Sequence, residues 1–239
     1  MRKILSLIRK LCSEQKLIED GDKIAVGLSG GKDSLLLLTA LKRLQSFYDK
    51  KFDLIAVSID LSNGEMDFSK IKEYCKKIDV PFYKKITNVF EIIFDIRKEK
   101  NPCSLCANLR RGLVNSYAKE LGCNKVALGH HMDDLIETFV MSLFFEGRLS
   151  TFQPSTYLSR TDITVIRPML FITENEIIEN SKDLPVVKNV CPADKHTQRE
   201  KVKELLKLLD ENYDDAKKKI FTAITHPERF NLWQEINKK

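Results

Sequence analysis

The sequence predicts an α/β fold, a parallel sheet with helices on both faces, preceded by an N-terminal helix and followed by a helical C-terminal tail. Two observations predict it. Short apolar runs alternate with longer stretches in which apolar residues recur at helical spacing. A glycine turn, Gly27 to Ser34, directly follows the first apolar run and opens a leucine-rich helix. Ligand loops of parallel sheets lie at such strand ends.

Residues 4, 5, 8, 11 and 12 are apolar at helical spacing, while Arg2, Lys3, Arg9 and Lys10 fall on the other face. This predicts an amphipathic helix to about Asp20, stopped by Gly21. Ile24 to Leu28 is the first strand, and the helix after the glycine turn carries Leu35 to Leu38. A second strand is expected over 52–60, a helix over 68–79 and a third strand over 81–86. A helix over 106–121, a fourth strand over 124–131 and a helix from Met132 follow. Residues 149–160 are polar and read as a turn-rich loop. Residues 163–170 predict a strand ended by Pro168. Thr173 caps the next helix, with one of two acids as its capping partner. A charged helix follows Cys191, and the tail is helical or irregular.

These elements divide the chain into an N-terminal amphipathic helix (1–22), a nucleotide-binding domain carrying a C-x-x-C (23–170) and a helical C-terminal region (171–239). With 43% hydrophobic and 31% charged residues, the chain can bury a core and stay soluble. No apolar run reaches the roughly 20 residues of a membrane helix. The apolar run Ile4 to Ile8 is interrupted by Arg9 and Lys10 and lacks a small-residue cleavage site, so it reads as part of the mature protein. The expected compartment is the cytosol, and a membrane is not an expected partner. The net charge of +6 is a mild bias toward a polyanion.

The glycine turn, Gly27-Leu28-Ser29-Gly30-Gly31-Lys32-Asp33-Ser34, is not a Walker loop: Lys32 stands where that motif needs a glycine. The physics is related. Gly30 and Gly31 let the backbone approach an anion, and the helix that follows points N–H groups and its positive end at it. Lys32 adds charge, and Ser29 and Ser34 add hydroxyls. Asp33 would repel a phosphate unless a cation lay between them, which points to Mg2+. The bland alternative is an ordinary strand–helix turn, disfavoured by so long a polar and glycine-rich run after a buried strand.

The six cysteines are Cys12, Cys75, Cys103, Cys106, Cys123 and Cys191. Cys12 and Cys75 fall on apolar helical faces and read as packing residues. Cys123 sits in a helix–strand turn with no other ligand nearby. Cys103 and Cys106 form a C-x-x-C that opens a helix, compatible with a redox pair or half a metal site. No second C-x-x-C completes a zinc ribbon. Cys191, in the polar loop NVCPAD, is the best third ligand. Three thiolates leave a coordination position open and suit zinc or an iron–sulfur cluster; spacing alone leaves both available.

The strand followed by SGGKDS resembles the PP-loop of the ATP pyrophosphatase superfamily. The further stretches CSLCANLRRGLVNSYAKELGCNKVALGHHMDD, VIRPMLFITENEI, Cys191 and TQREKV are similar to the tRNA-cytidine(32) 2-sulfurtransferase family. The resemblance runs from Ser29 to about Leu209. It implies an adenine nucleotide alpha hydrolase-like fold, ATP and Mg2+, and a [4Fe-4S] cluster on Cys103, Cys106 and Cys191. It also implies a two-step reaction in which the C2 oxygen of a tRNA base is adenylated and sulfur then displaces AMP. Adenylation makes oxygen a good leaving group.

Within that reading, Ser29, Gly30, Gly31, Lys32, Asp33, Ser34, Asp60, Gly129 and His130 are expected to bind the nucleotide. Asp33 and Asp134 are candidates for Mg2+ or proton handling. Arg110, one helical turn after Cys106, is a candidate to stabilise developing negative charge. The expected partners are tRNA and a sulfur donor, either a cysteine desulfurase or inorganic sulfide; a monomer or a homodimer is equally compatible. Arg2, Lys3, Arg9, Lys10, Arg110, Arg111, Arg148 and Arg160 are candidates to hold tRNA. Around Cys191 the chain departs from the family, which often has a second cysteine there. Competing readings are 2-thiolation of a tRNA uridine, a PP-loop amidoligase with a structural zinc, and a zinc-dependent RNA-binding protein.

Overall fold

The computed structural model describes residues 1–96, 102–187 and 198–232, with the side chains of residues 94, 95 and 102–104 outside the description. The chain forms two compact units: Met1–His131 with Gln153–Asp194, and Met132–Phe152 with Lys195–Lys239.

The first unit is built on a six-stranded sheet. Its strands are β1 (Asp22–Gly27), β2 (Phe52–Asp60), β3 (Phe82–Ile86), β4 (Lys125–Ala127), β5 (Ser155–Leu158) and β6 (Ile163–Ile166), in the order β3-β2-β1-β4-β6-β5. All neighbours are parallel except β5 and β6. In β2 every residue but Asp53 is buried, as expected of a strand covered on both faces. Helix α4 (Pro102–Glu120) packs on β2 and β4 through Val114 and Ala118, against Ala25, Val57, Val126 and Val165. Helix α2 (Lys32–Leu44), with Leu35 to Leu38 fully buried, packs on β1 and β2. Helix α3 (Ser69–Lys77) lies along β3, and α6 (Glu174–Asn180) contacts α2.

Helix α1 (Arg2–Glu14) buries Ile4, Ile8, Leu11 and Cys12, the face expected from the spacing. It stops six residues before Asp20, because Lys16 takes a left-handed conformation (φ 49°) and the Leu17 N–H closes back onto the Cys12 carbonyl. The turn then drops Leu17 and Ile18 into the core.

Four further differences from expectation are local. The polar stretch 149–160 contains β5, an edge strand exposed at alternate residues, so it has no apolar run to advertise it. Helix α4 begins at Pro102 rather than near residue 106, since proline suits a first helical position. Fourth-strand ladder pairing ends at Ala127, with Leu128 adding one bond to Ile166 before the chain turns at Gly129. Glu91–Ile96 forms a single wide π turn that periodicity did not reveal.

The second unit is helical: α5 (Met132–Glu146), α7 (Gln198–Asn212) and α8 (Ala216–Thr225), closed by a 3-10 turn at Pro227–Arg229. Its core joins Ile136 and Val140 of α5 to Val202 and Leu206 of α7, with Phe221 and Ile224 of α8 against them. Among the described residues no helix is long and apolar enough to cross a membrane.

Candidate active site

In the sheet order β2-β1-β4, the chain leaves β1 and β4 at adjacent carboxyl ends. That is the position where open parallel sheets hold ligands. The β1–α2 loop curls on itself there. Gly30 takes φ +88°, which only glycine adopts freely, and Gly31 is the N-cap of α2. The Ser29 and Gly31 N–H groups point to the Ser34 and Ser29 hydroxyls at 3.3 Å, and the Ser34 hydroxyl donates to the Gly31 carbonyl at 3.0 Å. The expected loop residues Ser29 to Ser34 are therefore together. They rest on β2, whose Val57 carbonyl accepts from the Leu28 N–H at 2.7 Å.

Gly129, leaving β4, lies against this loop. A Cβ there would be 3.0 Å from the Asp33 carbonyl carbon and 3.0 Å from the Ser34 nitrogen. Glycine at 129 thus lets the β4 exit press on the first turn of α2. His130 is half-buried, and His131 is buried and bridges in parallel to Met169.

Lys32 is the loop's cation. Its Nζ lies 2.9 Å from Asp33 Oδ1 and 3.2 Å from Glu174 Oε1. Burial disfavours its charged form, but Asp33 and then Glu174 outweigh that and raise its pKa above the ordinary lysine value. Glu174 was not expected at this site. The nearest signal was the choice of capping acid after Thr173. The structure gives that role to Glu176, through a full capping box, which leaves Glu174 facing Lys32.

Asp60 ends β2, beside β1, and is fully buried. Its Oδ1 accepts from the Ser62 N–H at 3.0 Å and the Ser62 hydroxyl at 2.7 Å. Its Oδ2 has no hydrogen bond among the described residues, with Lys84 Nζ at 3.6 Å. A buried carboxylate oxygen left in this state is a ready acceptor for a ligand donor.

Cys103 and Cys106 both lie in the first turn of α4, three residues apart and so on one helix side. Cys106 is buried beside Val89, Ile93 and Val114. The side chain of Cys103 and the whole of Cys191 lie outside the described residues. The other cysteines are chemically distinct. Burial pushes the Cys12 thiol up to about 12 and the Cys75 thiol up to about 11, and also raises Cys123. These three are neutral packing groups. Arg110, four residues after Cys106, shares its side of α4; its Nε is buried and has no hydrogen-bond partner among the described residues. Arg111 instead turns to Asn108, at 2.6 Å. The buried Arg167, not singled out from sequence, donates to the Gln153 carbonyl at 2.7 Å. Burial, then the charge of Arg111, lowers its pKa to about 10.

In the second unit, Asp134 lies in the first turn of α5, with Arg199 Nη1 at 3.3 Å. Arg199 also reaches Glu137 Oε2 at 3.0 Å, and Lys217 reaches Asp133 at 3.3 Å. The sequence singled out Asp134 but not its basic partner, 65 residues away.

The chain is similar to several known proteins. Residues 2–208 match the PP-loop domain family model. The chain is 37% identical over 232 residues to the tRNA-cytidine(32) 2-sulfurtransferase of Citrifermentans bemidjiense, covering 94% of this chain and 91% of that one. It is 37% identical over 216 residues to that of Aliivibrio fischeri, covering 89% and 70%. Among solved structures it resembles the U34-tRNA thiolase NcsA from Methanococcus maripaludis with its [4Fe-4S] cluster. That match has a TM-score of 0.75 at 23% identity and covers 98% of this chain and 80% of that one. An NH3-dependent NAD synthetase from Campylobacter jejuni shares the fold with a TM-score of 0.50 at 16% identity, covering 98% of each chain. The chain therefore belongs to the PP-loop family and, within it, to the tRNA-cytidine(32) 2-sulfurtransferases.

Proposed function

We propose that this chain is an ATP-dependent tRNA 2-sulfurtransferase whose target base is cytidine 32. The observation that carries the reading is 36–37% identity to enzymes of that name along most of both chains, over an intact phosphate loop. In the first step the C2 oxygen of the base attacks the α-phosphorus of ATP, and the bond to the departing pyrophosphate breaks. In the second, a sulfur nucleophile adds at C2 and the C2–O bond breaks, releasing AMP.

The chain's residues fit this division of labour. The Gly30–Ser34 turn offers N–H groups, the α2 N-terminus and Lys32 to the phosphates. In this reading Asp33 takes part in holding Mg2+, and Asp60 receives a donor from the nucleotide. Gly129 and His130 bring the β4 exit against that loop. Asp134, at the start of α5, is a candidate for Mg2+ or proton handling. Arg110 offers an unsatisfied buried guanidinium donor on the cysteine side of α4, suited to charge that develops as the leaving group forms.

A [4Fe-4S] cluster fits the donor set on two grounds. Cys103 and Cys106 have helical i, i+3 placement, and three of the other four cysteines are buried neutral thiols. That leaves Cys191 as the third ligand. Such a cluster supplies a coordination position not filled by protein. The partners are tRNA and a sulfur donor, a cysteine desulfurase or inorganic sulfide, and the setting is the cytosol. Arg2, Arg9 and Arg160 are exposed basic residues of the first unit available to phosphates. Lys3 and Lys10 are instead engaged with Glu176 and Glu14.

Mass analysis of tRNA nucleosides from a strain lacking the gene tests the reading. Loss of 2-thiocytidine supports it, whereas loss of a 2-thiouridine would move the target base. Anaerobically purified protein should be brown, with charge-transfer absorption in the visible. A colourless zinc-loaded protein that still thiolates would remove the cluster from the account. Cys191→Ala should abolish thiolation while sparing ATP binding.

A further inference from the structure

Glu174 is the first residue of α6, yet the helix does not need its side chain. The capping box is closed by Thr173 and Glu176. The Glu174 carboxylate instead reaches Lys32 Nζ, 142 residues away in sequence, at 3.2 Å. One ammonium thus sits between two carboxylates, Asp33 and Glu174. The three side chains are 29%, 34% and 35% exposed, open enough for a ligand to exchange with any of them.

A triphosphate entering the Gly30–Ser34 turn meets this arrangement with the wrong charge on two of three groups. Both carboxylates compete with a phosphate oxygen for the Lys32 ammonium. A divalent cation carried by the phosphates resolves the conflict: carboxylates are its natural ligands, and their turning to it releases the Lys32 ammonium to the nucleotide.

We propose that Glu174 is the second carboxylate of the triphosphate site: it holds Lys32 in the nucleotide-free protein and, with Asp33, makes nucleotide binding depend on the accompanying divalent cation. The inference rests on the reading that ATP occupies the β1–α2 loop. Glu174 is a positioning residue, acting on the nucleotide through Lys32 and through the cation.

The test is calorimetric titration of a non-hydrolysable ATP analogue, with Mg2+ and with a chelator, into wild type, Glu174→Gln and Glu174→Asp. Wild type should bind the analogue more tightly with Mg2+. Glu174→Gln should bind the metal-free analogue about fivefold more tightly than wild type, the scale of one partly exposed charge pair. It should also gain less from Mg2+, so the ratio of the two affinities falls. Glu174→Asp, which keeps the charge, should retain most of the wild-type ratio. A Gln variant whose two affinities change by the same factor, or not at all, overturns the proposal, as does an Asp variant that behaves like Gln. If wild type binds no analogue under either condition, the nucleotide reading itself fails and the inference falls with it.

Discussion

Two carboxylate–cation clusters, one in each unit, follow the same plan with opposite consequences. At the start of α2, Asp33 and Glu174 share Lys32, and all three are about one-third exposed. At the start of α5, Asp134 and Glu137 share Arg199, but the Glu137 side chain is only 4% exposed and Lys203 stands 3.8 Å from it as a second cation. Lys217 holds Asp133 in the same region. The first cluster is accessible, and its ammonium is shared by two carboxylates, so it can trade partners. The second closes over a buried carboxylate and ties α7 and α8 to α5. Exposure, more than residue type, separates the Lys32 cluster, which can serve a ligand, from the buried Glu137, which holds a fold.

The largest effect that can break this contrast is Arg199→Met. It weakens the neutralisation of the buried Glu137 and should destabilise the helical unit by about 2–4 kcal/mol, somewhat reduced by the remaining Lys203. Denaturant unfolding followed by circular dichroism measures it. A loss below about 1 kcal/mol would place Arg199 with the exchangeable cations and erase the distinction.

Next is Gly129→Ala. The new methyl would meet backbone atoms of Asp33 and Ser34 at 3.0 Å, and backbone cannot swing aside as a long side chain can. A cost of about 1–3 kcal/mol is expected, together with weaker nucleotide binding because the start of α2 moves. Unchanged affinity for an ATP analogue in a destabilised variant would mean that the β4 exit relaxes and the phosphate loop does not.

What the sequence displays and what it hides divide along the same physical line. The β1–α2 loop was legible because strand, glycine pair, lysine and helix are contiguous. The packing role of Cys12 and Cys75 was legible because helical periodicity puts them among apolar neighbours, and burial bears this out. The capping residue Thr173 was legible for the same local reason. The partners of the site were not. Glu174 lies 142 residues from Lys32, and Arg199 lies 65 from Asp134. No period or motif records a contact that exists only after the sheet order is set. Gly129 illustrates the middle case: it was placed at the site by motif, but its reason, contact with the α2 backbone, belongs to tertiary packing. The edge strand β5 escaped because half-covered strands carry no apolar run.

A smaller effect sharpens the contrast from the accessible side. Lys32→Ala should change folding stability by less than about 1 kcal/mol, as exposed pairs do. It should weaken binding of an ATP analogue about tenfold, the scale of one charge-assisted contact. Equal losses in stability and binding would show that Lys32 is structural in the way Arg199 is.

The smallest effect is in the pH dependence of the Lys32 pair. Burial favours the neutral amine, but hydrogen bonding and charge from Asp33 and Glu174 prevail, so the folded-state pKa stands above the ordinary value of 10.5. The folded protein therefore holds this proton more tightly than the unfolded chain does. The resulting stabilisation is complete below about pH 10.5 and is lost as pH rises through the folded value. Wild type and Lys32→Met should differ by less than about 1 kcal/mol at neutral pH, given the exposure of the pair, and the ionic part of that gap should close in strong alkali. Glu176, at the same end of α6, has the opposite sign. Burial works against its charge, but Lys3 and the Thr173 cap lower its pKa below 4.5, so its contribution is present above that value and fades as pH falls. Stability measured against pH should thus resolve an alkaline limb removed by Lys32→Met and an acid limb reduced by Lys3→Met. If Lys32→Met instead shifts the acid limb and leaves the alkaline one intact, the Lys32 ammonium is not what Glu174 holds.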